Sequence, residues 1–302
     1  MKTIKLLLGY VFLGILVSSC YAELIIEDDF VFDEPIISTN QVLASNELWY
    51  VDINATKGNG EVPFLQRAFT LSFEGGILYA NNNIVGIGDT GNGFGIDIGS
   101  YDGIGNAVEI DHDIDGLWLL DVIVINNRTI ELYDPKSRTS YILKGYQRAN
   151  FDYDTVFYDN IRYLLQEYTA WEKRYTSEEG ALNDFDDENF LQFNADFFRS
   201  SVDPVGTRVS NLRWDFEGEF EVFDTNDPNF KTITLSYDFM GNDYFELTVL
   251  NDATIELYHP SSKTIYEFKG KAFTQVLKGK ANSTKKRKKV KNPIMNVTKS
   301  KR

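Results

Sequence analysis

The sequence predicts a mainly β protein: two repeated antiparallel β modules, the first a possible small barrel and the second shortened, bridged by an amphipathic helix. Three observations predict it. The segment TIELYDPKSRTSYILKG (129–145) aligns without a gap on TIELYHPSSKTIYEFKG (254–270) at an offset of 125, with 11 of 17 positions identical. The surrounding residues are rich in Val, Ile, Thr, Tyr and Phe and alternate with period two, the signature of half-buried strands. Between the copies, Phe157, Ile161, Leu164, Leu165, Tyr168, Trp171 and Tyr175 recur at three- and four-residue steps, the apolar stripe of a helix.

Each element has a local cause. Asn126-Asn127 and Asn251-Asp252 separate strand-like runs and tolerate the left-handed backbone of tight hairpins. Asp134-Pro135 and His259-Pro260 open the next turn, where proline pre-sets φ. Beyond it, Tyr141 and Leu143 share a face, matched by Tyr266 and Phe268, and that face is the expected core. Further upstream, FTLSFE from Phe69 is read against ITLSYD from Ile233, and Trp49 against Trp214. On that alignment the excess of copy one is the Gly/Asn/Asp-rich stretch 75–116. Its strand-like pieces bring copy one to about eight strands, against about five in copy two. The helix is expected over 155–175, capped by Asp154, and 183–194 is expected to add a short helix or turn.

The resulting plan is a signal peptide (1–20), a tether (21–40), β module one with its insertion (41–150), a helical linker (151–204), β module two (205–277) and a basic tail expected to be disordered (278–302). The net charge of −15 conceals two opposed regions. The tail has 11 Lys/Arg and no acid, whereas 21–277 has 17 basic and 45 acidic residues, a net of −28. Such a tail suits an anionic surface or the protein's own acidic body. In an exported chain a nucleic-acid partner is not expected.

Lys2, Lys5 and the apolar run 6–17 lead into Val17-Ser18-Ser19-Cys20. That run resembles the lipobox of bacterial lipoproteins, in which the cysteine receives a diacylglycerol. The resemblance implies a chain lipid-anchored through Cys20 at the outer membrane or periplasmic face of the envelope. Secretory cleavage after Ala22 is the alternative. Cys20 is the only cysteine, so the mature body has no disulfide and folding must rest on its core. The tryptophan, the LSF-type strand and the closing meander resemble the lipocalin-like domains of gram-negative envelope lipoproteins, over about 49–146 and, shortened, about 213–273. That resemblance implies β-barrels and binding, and transfers no functional residue.

Motifs with chemistry are few. Asp111, Asp113, Asp115 and Gly116 spell the start of a calcium loop, but its twelfth position is Val122 rather than a bidentate acid. The alternating acids equally fit a strand with a polar outer face. Asp184, Asp186, Asp187 and Glu188 form a second acidic cluster, read as a solvated loop. The glycine tract 86–95 runs into strand-like Ile96-Asp97-Ile98 rather than a helix, which excludes a dinucleotide loop. His112 and His259 sit in no nucleophile or phosphate signature. Trp118, without an obvious counterpart, is the candidate for stacking on a ring-bearing ligand. The expectation is therefore a non-catalytic envelope protein, without cofactor, that binds a small apolar or ring-bearing ligand or a partner protein. The alternative is a structural adaptor with a surface-docking tail, and a glycan hydrolase is the third reading. The anchor is checked by fractionation: Cys20→Ala is expected to move the protein from the membrane fraction to the soluble one, and retention would refute lipidation.

Overall fold

The computed structural model describes residues 37–225, 227, 229–239, 241–278, 287 and 289. Cys20, the apolar run before it and most of the basic tail lie outside the described residues. Helix α1 (Thr39–Leu43) leads into β1 (Leu48–Lys57), β2 (Thr70–Glu74), β3 (Ile77–Asn81), β4 (Ile96–Ile104), β5 (Ala107–His112), β6 (Gly116–Asn126), β7 (Thr129–Asp134) and β8 (Thr139–Tyr146). Helices α2 (Tyr153–Asp159) and α3 (Ile161–Glu167) follow. Then come β9 (Tyr168–Thr176), β10 (Phe190–Asn194), β11 (Phe197–Ser201), β12 (Phe216–Phe223), β13 (Lys231–Tyr237), β14 (Asn242–Asn251), β15 (Thr254–His259) and β16 (Thr264–Phe273). Within β1–β8 and within β9–β16 each strand pairs antiparallel with the next, and β8 returns to β1 as β16 returns to β9. The result is two closed eight-stranded up-and-down barrels. No helix among the described residues is long and apolar enough to cross a membrane.

The repeated segments occupy the same place in both barrels. Thr129 pairs with Lys144 and Asp134 with Thr139, and their counterparts Thr254 with Lys269 and His259 with Thr264. The same bulge interrupts β6–β7 and β14–β15. The intervening turn puts Arg138 and Lys263 at φ of 54° and 63°, a left-handed conformation at equivalent positions. Tyr141, Leu143, Tyr266 and Phe268 all point into their barrels and are fully buried.

Barrel two is complete rather than shortened. Its first three strands, β9–β11, fall in 151–204, where the sequence reads as a helical linker. The single helix expected over 155–175 is two short ones that end at Glu167, and Asp152 rather than Asp154 caps α2, accepting Thr155 N at 3.0 Å. Tyr168 is already extended, and Tyr-Thr-Ala-Trp-Glu-Lys-Arg-Tyr-Thr is strand-forming by composition. The upstream alignment also changes. FTLSFE lies on β2, the second strand of its barrel, but ITLSYD lies on β13, the fifth of the other. Alternating aliphatic, hydroxyl and aromatic residues mark any half-buried strand, so likeness of pattern did not mean equivalence.

The tryptophan equivalent to Trp49 is Trp171, not Trp214. Trp49 pairs with Gly145 and Trp171 with Gly270, themselves repeat partners. Each indole N–H is spent on a carbonyl six residues upstream, at the end of the preceding helix: Trp49 on Leu43 O at 2.7 Å and Trp171 on Leu165 O at 2.8 Å. Both rings are fully buried. Each helix is thereby tied across the base of its barrel. Helix α3 and the outward side chains Leu48 and Tyr50 of β1 share one hydrophobic cluster with the interior of barrel two, so α2–α3 form the seam between barrels. Trp49→Phe and Trp171→Phe remove a buried bond and leave a carbonyl unmet, at about 1–3 kcal/mol each. Trp214→Phe, at a half-buried loop position, is expected to change stability by less than about 0.5 kcal/mol in urea unfolding.

Candidate functional site

The end of each barrel opposite its helix is the natural place for a binding mouth, and in both barrels it is stopped. In barrel one the loop between β1 and β2 folds back and buries Val62, Phe64 and Leu65. Phe64 stacks on His112, with ring centroids 5.4 Å apart, and meets Trp118 edge-on at 6.4 Å. Tyr141 of β8 holds the loop: its hydroxyl accepts from Val62 N at 2.9 Å and Gln66 Nε2 at 3.0 Å. In barrel two the loop between β9 and β10 inserts Phe185 against Phe245 and Tyr266 at 4.6 and 5.0 Å. Tyr266, the repeat partner of Tyr141, donates to Asp186 Oδ1 at 2.6 Å and accepts from Asn183 Nδ2 at 2.8 Å. An aromatic plug latched by a tyrosine is therefore common to both mouths.

The acidic motif at the first mouth does not converge. Asp111 is exposed on the outer face of β5, Asp113 is exposed and pairs with Lys278, and Asp115 turns inward to a buried ion pair with Arg67. β5 ends at His112, so the turn after it breaks the alternation that would have kept the three acids together. Among the described residues no group of three or more His, Cys, Asp or Glu is placed to hold a metal. His112 Nδ1 accepts from the backbone N–H of Ile114 and Asp115 at 3.3 and 3.0 Å, and burial holds its pKa below the ordinary value. The ring is thus neutral near pH 7. Trp118 is half-buried against Phe64, and its indole N–H donates to Asp115 O at 3.2 Å. A surface depression of about 570 Å³ lies beside this turn, walled by Asp97, Ser100, Asp111 and Asp113.

The second mouth carries a polar network that the sequence did not advertise. Glu188, expected in a solvated loop, is 3% exposed and accepts the Tyr237 hydroxyl at 2.8 Å. His259 Nδ1 lies 2.8 Å from Ser262 Oγ, and its Nε2 lies 3.8 Å from Asp243. These three residue types suggest a hydrolytic triad, but the repeat supplies a simpler explanation. In copy one the same turn holds Asp134, whose carboxylate accepts from Ser137 Oγ at 2.5 Å. His259 and Ser262 occupy those positions and keep that side-chain bond. Ser262 is also engaged by Thr264 and Asn183 and is buried beneath the loop. The signal that locates this mouth in the sequence is the Tyr141–Tyr266 correspondence, since each tyrosine fixes the plug.

Burial raises the Glu188 carboxyl from 4.5 to about 7, against the opposing hydrogen bond of Tyr237. Burial likewise raises Asp243 and lowers His259. Folded Glu188 therefore holds its proton more tightly than unfolded Glu188. Its contribution is least unfavourable below about pH 4.5, and stability is lost as pH rises toward 7, by on the order of 3 kcal/mol. The lowered histidines act in the opposite sense, losing stability as pH falls below their ordinary 6.5. A comparison of variants isolates the glutamate. Glu188→Gln is expected to raise Tm at pH 8 by several degrees and to leave it unchanged at pH 4, read by thermal unfolding across pH. An equal shift at both values would show that folding does not change how tightly Glu188 holds its proton. No protein-family model matches the sequence and no curated protein compared with it does, so the geometry alone carries the reading of function.

Proposed function

We propose that this chain is a non-catalytic envelope protein, held at the membrane by a lipid on Cys20, that binds a partner protein through the outer face of barrel one. The observation that carries the reading is an aliphatic ladder on β6. Leu117, Leu119, Ile123 and Ile125 point outward and are 61%, 46%, 46% and 51% exposed. Their counterparts on β14 in barrel two are Asn242, Tyr244, Thr248 and Leu250, so the fold does not require aliphatic residues at the first three. An exposed apolar strip of this kind marks interaction surfaces.

Acids flank the ladder. Leu117 lies opposite Asp111, Leu119 opposite Glu109 and Ile123 opposite Glu131, and Asp121 interrupts the strip. This rim repels a second copy of the same face and favours a partner with Lys or Arg around an apolar centre. The eight-stranded up-and-down plan is the one lipocalin-like binding proteins use. A carried small ligand has less support, because inward side chains from Trp49, Val51, Ile53 and Phe64 to Leu143 form one buried cluster in barrel one. A photo-crosslinking residue at Ile123 is expected to give one discrete heterologous adduct in cells, lost when Leu119→Asp is added. The same probe at exposed Glu219 of β12 is expected to give none. An adduct of twice the chain mass would reassign the face to self-association, and equal labelling at both positions would refute a specific surface. A stoichiometric small molecule in the intact purified protein would restore the carrier reading.

A further inference from the structure

The basic tail contains one arginine before its terminal residue, and that arginine is not on the surface. Arg287 is 1% exposed, seated where barrel one meets the α2–α3 seam. The seat has a backbone origin. β1 and β2 share only the pairs Trp49–Leu71 and Tyr50–Thr70, followed by one bond from Val51 N to Phe69 O. The incoming loop then turns away: Arg67 N and Ala68 N both bond to Phe64 O. The ladder that would have consumed Val51 O on that side stops. The Arg287 guanidinium fills the gap, donating to Val51 O at 2.6 Å, to Ala68 O, and to Asn160 Oδ1 at 3.2 Å. Its backbone N–H donates to Gln66 O at 2.9 Å.

Two rings complete the seat. The guanidinium carbon lies 4.6 Å from the centre of Phe69 and 5.8 Å from that of Tyr50. The described contacts contain no carboxylate, so the charge is met by carbonyl dipoles and ring faces rather than by an ion pair. This arrangement selects shape. A planar guanidinium sends donors to several acceptors in one plane while its faces stack, and a lysine ammonium can do neither. Within Lys285-Lys286-Arg287-Lys288-Lys289, only the arginine suits it. A narrow cleft walled by Phe69, Asn82, Tyr163, Gln166 and Glu167 adjoins the seat.

We propose that this seat is a guanidinium-binding site, filled in cis by Arg287 and able to take the arginine of a basic segment in trans once the tail is displaced. The probe is a fluorescein-labelled peptide of residues 284–292, titrated by anisotropy at 0.15 M salt into the full mature chain. Arg287→Ala protein is expected to bind it at least ten-fold more tightly than wild type. The same peptide carrying Arg287→Lys is expected to lose at least ten-fold. Equal binding to both proteins, or equal binding of both peptides, would mean diffuse attraction to the acidic body and would overturn the proposal. If Arg287→Ala does not fold, Arg287→Lys protein, which keeps the charge, is expected to show the same gain. Unfolding of both variants would make Arg287 a structural strut and would equally overturn a displaceable site.

Discussion

Closure of eight strands into a ring is the constraint on which the rest of this chain depends. A ring has no free sheet edge, and at eight strands its interior is just wide enough to be filled by side chains. Alternate residues of every strand must then be large and apolar, and both ends of the cylinder need a stopper. One solution is used twice. A helix is bound across the base by an indole N–H, and a loop carries an aromatic ring into the mouth. Neither stopper can be removed without exposing the cluster beneath it, so base, wall and plug behave as one packing unit.

What the copies share separates structural need from the rest. The hairpin registers, the bulge, the left-handed turn residue, the base tryptophan and the latch tyrosine recur, and each has a geometric reason to do so. What they do not share is free of that duty. The outward residues of β6 are aliphatic in one copy and mostly polar in the other. The turn cap is Asp134 in one and His259 in the other. The internal repeat acts as a control experiment inside one molecule, and it turns an apparent Ser-His-Asp constellation into a hydrogen-bonded turn.

The closing meander was legible because it joins strong turn chemistry to strict alternation, and sequence identity there coincides with equal register. The opening strands of barrel two were not. Tyr168, Trp171 and Tyr175 continue the three- and four-residue spacing of α2 and α3, so hydrophobic periodicity ran across the helix–strand junction without a break. The spacing from Leu43 to Trp49, equal to that from Leu165 to Trp171, carried the missing information. The site was less legible than the fold. The acids at 111, 113 and 115 share a spacing but not a destination, because a turn after His112 redirects the chain. Glu188 looked like one more surface acid, whereas it is buried and meets the Tyr237 hydroxyl of β13, 49 residues further along the chain.

Arg287 shows the same separation between charge and place. In a body this acidic, a run of lysines and one arginine has many carboxylates to approach, and exposed pairs of that sort contribute little and depend on salt. Charge alone therefore cannot choose a position for the tail. Burying a cation is costly unless its donors are met, and the break between β1 and the returning loop presents carbonyls that barrel closure has left without strand partners. The defect in the ladder and the guanidinium satisfy each other. A short second strand, needed so that the loop can fold back and plug the mouth, is thus also what creates a binding position at the seam.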